Sequence, residues 1–139
     1  MQVKRVPKTE QIPSGYEIMI DGARVATGMD ALWWAKRGEE LGAGEICVNS
    51  IDQDGTHEGY DLEITGLISS NVNIPVIASG GAGKPEHLLD VFTRTGASAG
   101  IISSMLYSPR MPINYTVKEV KAYLAAHGVP VRPWVNEDK

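Results

Sequence analysis

Residues 74–84, Ile-Pro-Val-Ile-Ala-Ser-Gly-Gly-Ala-Gly-Lys, form the segment that most constrains the fold of this chain. The apolar run Ile74–Ala78 predicts a buried strand, Ser79–Lys84 predicts a glycine turn, and Pro85 predicts the first residue of a helix. Glycines allow backbone N–H groups to converge on one point, where a helix N-terminus also favours an anion. A turn without a ligand is the alternative, but it does not require three glycines. The segment therefore predicts a binding site for the phosphate of a small molecule.

The same succession of strand and helix occurs four times along the chain. Strands are predicted at residues 2–6, 45–51, 74–78 and 98–103, and helices at 29–41, from Asp61 onward, at 85–95 and at 116–126. The last helix is expected to begin with a capping box of Thr116 and Glu119 and to bury Val117, Val120 and Leu124. Asp21-Gly22, between two apolar runs, predicts a small β-ribbon that follows the first strand and projects from the domain. Strands that alternate with helices predict a parallel sheet. Residues 1–139 are therefore predicted to form a single α/β domain.

Four β-α units are half of a (β/α)₈ barrel, which usually takes about 200 residues or more. An open sheet with helices on both faces is the alternative. If Ile46 and Val48 face the helices, then Glu45, Cys47 and Asn49 form a polar side that suits the lumen of a ligand-binding barrel. The prediction is a (β/α)₄ half of a TIM (β/α)₈ barrel. Its exposed lumen and two free strand edges predict a homodimer or a higher homo-oligomer.

Composition restricts the classes of partner. A net charge of −4 argues against a nucleic-acid partner, and no apolar stretch approaches the length of a membrane span. The single cysteine, Cys47, cannot form an internal disulfide, which fits a cytoplasmic location. The three histidines show no pair at metal-ligand spacing, so neither a metal site nor a cofactor is expected. Trp33, on a polar helix face, either contacts another chain or is an isolated exposed side chain.

Two further polar segments follow predicted strands. Ser103 and Ser104 end the last strand, and in barrels the loops after the last two strands often share one phosphate. Ser50–Thr56 ends the second strand, and its carboxylates and threonine suit acid–base chemistry or binding of a ribose and phosphate. A turn built on Asp54-Gly55 is the alternative. His57, in the same loop, is expected to be solvated, and a contact with the ligand is the alternative.

Together these motifs resemble the cyclase subunit of imidazole glycerol phosphate synthase, an enzyme of histidine biosynthesis. The matching segments are Gly42–Glu45, Ser50–Thr56, Gly59–Asp61, Ile77–Lys84, Glu86-His87, Lys121–Leu124 and His127–Val129. They cover nearly the whole chain, but they correspond only to the C-terminal half of the family's (β/α)₈ barrel.

The resemblance implies an activity and a role for each matching residue. The family's enzyme takes ammonia from a glutaminase partner and converts a phosphoribulosyl ribonucleotide into imidazole glycerol phosphate and aminoimidazole-carboxamide ribonucleotide, a reaction of the lyase class. One of the substrate's phosphates would be bound by Asp54, Gly55, Gly81, Gly83, Ser103 and Ser104. Asn49 would lie near the ligand, and Glu45 would match a glutamate at the ammonia entrance of the barrel.

One family residue is replaced in this chain. The pattern Asp-x-Lys-Arg aligns with Gln2–Arg5, so Gln2 occupies the position of a catalytic aspartate. A second catalytic aspartate belongs to the first half of the barrel. Because glutamine does not exchange a proton near neutral pH, little or no cyclase activity is expected from the isolated chain.

Several interpretations of the half-barrel stay open at this point. It is either a free-standing half-barrel or a truncated reading of a longer gene. A non-catalytic phosphate-binding half-barrel that completes another chain, such as an N-terminal half-barrel, is one alternative function. A related phosphate-binding barrel isomerase and a gene fragment without function are the others.

Overall fold

The structure, a computed structural model, describes residues 1–134 and has the predicted α/β order. The strands are β1 (Gln2–Arg5), β2 (Tyr16–Ile20), β3 (Val25–Asp30), β4 (Ile46–Ser50), β5 (Val76–Ser79) and β6 (Ala99–Gly100). The helices are α1 (Ala31–Glu40), α2 (Leu62–Ser69), α3 (Pro85–Arg94), α4 (Ser104–Tyr107) and α5 (Val117–Ala126). One sheet has the order β3-β2-β1-β4-β5-β6, in which β1, β4, β5 and β6 are parallel. Within this described part of the chain, no helix is long and apolar enough to cross a membrane.

Side chains alternate between two different environments along the parallel strands. The covered face carries buried side chains that pack with Ile64 and Ile68 of α2 and with other helical residues; it consists of Val3, Ile46, Val48, Val76 and Ala78. The open face carries partly exposed side chains; it consists of Gln2, Cys47, Asn49, Ile77 and Ser79. Parallel sheets are normally covered on both faces. Cover on one face alone agrees with the predicted half-barrel and with the predicted alternation in the second strand.

The predicted β-ribbon forms, but it extends the sheet rather than projecting from the domain. All four residues of β1 pair antiparallel with β2, for example Val3 with Ile18. This pairing occupies the outer edge of β1, so within residues 1–134 the two edge strands of the sheet are β3 and β6 rather than β1 and β6. The connecting turn has positive φ angles at Asp21, Gly22 and Ala23.

Helix α1 begins two residues later than predicted. Met29 and Asp30 belong to β3, and the Asp30 carboxylate caps α1 by accepting the backbone N–H of Trp33 at 3.0 Å. The same carboxylate accepts the N–H of Ser14 at 2.8 Å. Asp30 therefore stabilises the junction between the ribbon and the helix, because its two oxygens satisfy donors on both sides.

The segment after β6 contains a helix that the sequence did not predict. The last strand is only Ala99–Gly100 and not residues 98–103, and Ser104–Tyr107 forms α4, with Met105 fully buried. The final helix begins with the predicted capping box of Thr116 and Glu119. Val117, expected in the core, is 39% exposed, because it lies in the first turn of α5, away from the buried Val120 and Leu124.

A partly buried polar network joins β1, β2 and α2 beside the loop that follows β4. The Tyr16 hydroxyl donates to the Asp61 carboxylate at 3.0 Å, and burial together with that carboxylate raises the pKa of Tyr16. The Arg5 guanidinium lies over the Tyr16 ring and donates to Glu63 at 2.6 Å. The Arg5 backbone N–H donates to Asp52 at 2.7 Å. The network therefore attaches the start of the β4–α2 loop (residues 51–61) to β1.

Candidate functional site

A small polar recess lies where β4, β5 and β6 end. Its cavity volume is about 50 Å³, and its lining consists of Asp54, Gly55, His57, Ser79, Gly80, Gly81, Ala82, Ile101, Ser103 and Ser104. One water molecule needs a cavity volume of roughly 10–15 Å³, so the recess has room for a small polyatomic ion. The carboxyl ends of parallel strands meet at one edge, which is where α/β sheets bind ligands. The structure therefore brings together Asp54, Gly55, Gly81, Ser103 and Ser104 in the lining of one recess.

Two loops cross at the floor of this recess with no room for a side chain. The N–H of Gly59 donates to the carbonyl of Gly81 at 2.8 Å. A Cβ on Gly81 would overlap the carbonyl oxygen of Gly59, and a Cβ on Gly80 would lie 2.7 Å from the carbonyl oxygen of Ser50. Both glycines also have positive φ angles, +104° and +91°. The close crossing therefore requires glycine at both positions.

Hydrogen-bond donors without protein acceptors line the recess. Within residues 1–134, no hydrogen bond engages the backbone N–H groups of Gly81 and Ser104. The hydroxyls of Ser103 and Ser104 add two more polar groups to the lining. Gly81 is buried and Ser104 is half-buried, whereas Ser103 is exposed. Donors that converge in this way suit an oxyanion, which accepts several hydrogen bonds at once.

His57 belongs to this lining, which corrects the expectation of a solvated loop side chain. Its Nε2 atom lies 2.6 Å from the Ser104 hydroxyl oxygen. Its backbone has a φ of +60°, and a Cβ on Gly83 would overlap the His57 carbonyl oxygen. The tight packing of two loops determines where the imidazole lies. No local sequence signal marks this, because the contact joins residues 47 positions apart.

Gly83 and Asn49 lie close to the recess but outside its lining. The Gly83 N–H donates to His87 Nδ1 at 3.1 Å, so this N–H already has an acceptor within the chain. The structure thus places Gly83 in loop packing rather than in the lining. Asn49 lies on the open face, where its Oδ1 accepts the Ser79 hydroxyl at 2.8 Å.

The two carboxylates of the β4–α2 loop have different surroundings. The Asp52 carboxylate accepts the Arg5 backbone N–H, whereas Asp54 lines the recess. Thr56 donates to the Gln53 carbonyl at 2.8 Å within the same loop. Asp52 and Thr56 therefore stabilise the loop, and Asp54 is the carboxylate placed to meet a ligand.

A larger cavity of about 710 Å³ lies between α3, β6 and α5. Its lining is mostly apolar and includes Phe92, Val120, Leu124 and Val129. Ligand sites combine apolar walls with a few convergent polar groups. Since the recess at the strand ends has those polar groups, it is the candidate site, even though it is smaller.

Comparisons with known proteins identify the family. Residues 4–112 match the family described as histidine biosynthesis protein. The imidazole glycerol phosphate synthase subunit HisF of Desulfatibacillum aliphaticivorans is 59% identical over 132 residues, which are 95% of this chain and 49% of that protein. This chain belongs to the histidine biosynthesis protein family. Subunits of the same name from Desulfosudis oleivorans and Syntrophobacter fumaroxidans are 56% and 54% identical over the same shares.

The match covers most of this chain but only part of each relative. The chain spans about half the length of the curated relatives it matches. With the parallel sheet covered on one face, this confirms the predicted half of a (β/α)₈ barrel and the resemblance found in the sequence.

The remaining residues singled out through the histidine biosynthesis family lie away from the recess. Gln2 is on the open face, next to Asn49 in the β1–β4 register. Glu45 is exposed and directly precedes β4, at the amino end of the strands. Since a strand rises about 3.3 Å per residue, Glu45 and the recess lie at opposite ends of β4, about 16 Å apart. Of these two, Gln2 is the nearer to the recess.

Proposed function

We propose that this chain is a half-barrel of the imidazole glycerol phosphate synthase cyclase type, whose recess binds one phosphate group of a phosphorylated small molecule. The observation that carries the proposal is the recess itself, where unengaged N–H groups and two serine hydroxyls meet at the ends of β4, β5 and β6. The name of these relatives, imidazole glycerol phosphate synthase subunit, supports this substrate class. The same name favours a cyclase over the related barrel isomerase.

The proposal assigns little or no cyclisation to the isolated chain. Gln2 occupies the position of the family's aspartate, and a carboxamide neither accepts nor releases a proton near neutral pH. Asp54 lines the recess, where the proposal gives it a ligand-binding role. Full lyase activity would need an N-terminal half-barrel, and a glutaminase partner as the source of ammonia.

The second part of the proposal is that copies of this chain associate through their open faces. Gln2, Cys47, Asn49, Ile77 and Ser79 are partly exposed on a parallel sheet, a type of sheet that is normally covered on both sides. A second copy of the chain that packs its own open face against this one would bury both. We therefore expect a homodimer or a higher homo-oligomer.

A titration with glycerol phosphate, followed by calorimetry or by amide chemical shifts, tests the phosphate site. We expect saturable binding with one site per chain and the largest shifts at Gly81 and Ser104. In Gly81→Ala, the new Cβ meets the Gly59 carbonyl and the backbone is strained, so we expect more than about 3 kcal/mol of lost stability and no binding.

Gly44→Ala is the matched control for this substitution. No atom lies within 4 Å of a Cβ at Gly44, so this variant should bind like the unaltered chain. Absence of binding by the unaltered chain would contradict the proposal, as would a Gly81→Ala variant that binds normally.

A second candidate function is a non-catalytic half-barrel that completes another chain. Gln2 on the open face favours it, because the face nearest the site then lacks the family's carboxylate. Mixing the chain with an N-terminal half-barrel and measuring cyclisation with ammonium tests it. Activity that appears only in the mixture supports completion, whereas turnover by the isolated chain near that of an intact cyclase contradicts both candidates.

A further inference from the structure

Among residues 1–134, no permanently positive side chain lines the recess. The lining contains two titratable groups, Asp54 and His57. An anion in the recess would therefore depend on neutral donors for most of its stabilisation, against the negative charge of Asp54. Of the described lining side chains, only His57 can become positively charged.

The structure holds the His57 ring against the recess. Its Nε2 atom is 2.6 Å from the Ser104 hydroxyl oxygen, and its backbone packs on Gly83. The neighbouring segments contain five charged or titratable groups. They are Asp54 and Glu58 in its own loop, Lys84 and His87 in the segment that follows β5, and Tyr107 on α4. His87 already accepts the Gly83 N–H, which leaves His57 as the histidine that meets the recess.

We propose that His57 is an anion contact that makes phosphate binding in the recess depend on pH. The proposal rests on the proposed function, because it assumes that the recess takes a phosphate group. A neutral imidazole that accepts the Ser104 proton offers the anion no charge. A protonated ring donates from both nitrogens and forms a charge-assisted contact beside the bound oxygens.

The direction of the effect follows from this geometry. Binding is tightest when the ring is protonated and therefore weakens as the pH rises. A charge-assisted hydrogen bond is stronger than a neutral one, so the affinity should fall about tenfold or more between pH about 5.5 and about 8.5. By linkage, a bound anion favours the protonated ring to the same extent.

Sulfate is the sharpest probe, because inorganic phosphate changes its own charge near neutral pH and sulfate does not. The experiment measures sulfate affinity at four pH values between about 5.5 and 8.5, for the full chain and two variants. His57→Asn removes the titrating ring and keeps a side chain that tolerates positive φ. His127→Asn is the matched control, since His127 contacts Tyr123 on α5 and does not line the recess.

The outcomes separate this inference from the proposed function. We expect sulfate affinity to fall with pH in the unaltered chain and in His127→Asn, and to stay flat in His57→Asn. Equal affinity at every pH in all three proteins would overturn the role of His57 and leave the anion site intact. No sulfate binding at any pH would overturn the proposed function, and the inference with it.

A second measurement needs no variant and therefore does not depend on whether His57→Asn folds. The His57 ring protons are followed by NMR through a pH titration with and without saturating sulfate. Sulfate should shift the His57 transition to higher pH and leave the His127 transition in place. An unmoved His57 transition in the presence of bound sulfate would contradict the inference.

Discussion

The two faces of the parallel sheet are made by the same strands and have different surroundings. On the covered face, Val48 and Val76 are 1% exposed and pack into a core shared with α2. On the open face, the next residues along the same strands, Asn49 and Ile77, are partly exposed. Because neighbouring side chains on a strand point to opposite sides, the strands bury one set of residues and present the other.

This difference indicates which contacts the chain makes by itself. The covered face has its helices, its capped termini and the Arg5–Asp61 network within the chain. The open face has the polar row of Gln2, Asn49 and Ser79 in register across three strands. A hydrophobic core is therefore complete on one side, and the other side is the expected place for a ligand and a partner.

The largest expected effect comes from the same substitution made on each face. Ile46→Ala removes a side chain that is 7% exposed, and the cavity should cost about 3 kcal/mol of the free energy of unfolding. Ile77→Ala, on the open face of the neighbouring strand, should cost about 1 kcal/mol or less in the dissociated chain. Urea unfolding of both variants at low protein concentration measures the two costs. Equal losses of unfolding free energy in the two variants would show that both faces are packed alike, which would contradict the difference described here.

A charge on the open face should act on assembly rather than on folding. Cys47→Arg places a long cation on the face proposed to meet a second copy, so self-association should weaken by about tenfold or more. Sedimentation at several concentrations measures this, and urea unfolding of the dissociated chain should change little. Trp33→Arg is the matched control, because Trp33 is 55% exposed on α1. Dissociation by Trp33→Arg and not by Cys47→Arg would place the interface on α1 instead.

The smallest expected effect is on the pH dependence of stability, and it involves His87 on α3. Burial, together with the Lys84 ammonium, lowers the pKa of His87 below its ordinary value of about 6.5. The unfolded chain therefore takes up a proton at higher pH than the folded chain. The stability that results is complete above pH about 6.5 and is lost as the pH falls through the folded-state pKa.

His87→Asn tests this dependence, because an Asn oxygen can still accept the Gly83 N–H while the side chain no longer titrates. The urea midpoint of the unaltered chain should fall more between pH about 7.5 and about 5.5 than that of His87→Asn. His127→Asn should behave like the unaltered chain. The same fall in all three proteins would assign the pH dependence to other groups.

The sequence predicted the features that depend on local patterns. Apolar runs and their alternation identified the parallel strands and the side of the second strand that faces the helices. The capping box of Thr116 and Glu119 identified the start of α5, and the glycines after β5 identified the turn at the recess. These patterns act over a few residues, where intrinsic preferences and capping determine the structure.

Other features depend on contacts that no local pattern contains. The ribbon extends the sheet because β2 pairs with β1 across a loop. His57 contacts Ser104, which is 47 positions away in the sequence. Helix α4 has one turn, too short for a periodic pattern, and the burial of Met105 stabilises it. The N–H of Gly83 is used by His87, which the glycine-rich sequence alone does not reveal.

The central claim is that the open face is completed by another chain, and the solution mass tests it most directly. Light scattering behind size exclusion, at low micromolar concentration, gives the mass of the purified protein. The account predicts a stable multiple of the 15.0 kDa chain mass, a dimer or larger. A well-folded monomer at this concentration would contradict it, because the open face would then be stable in water without a partner.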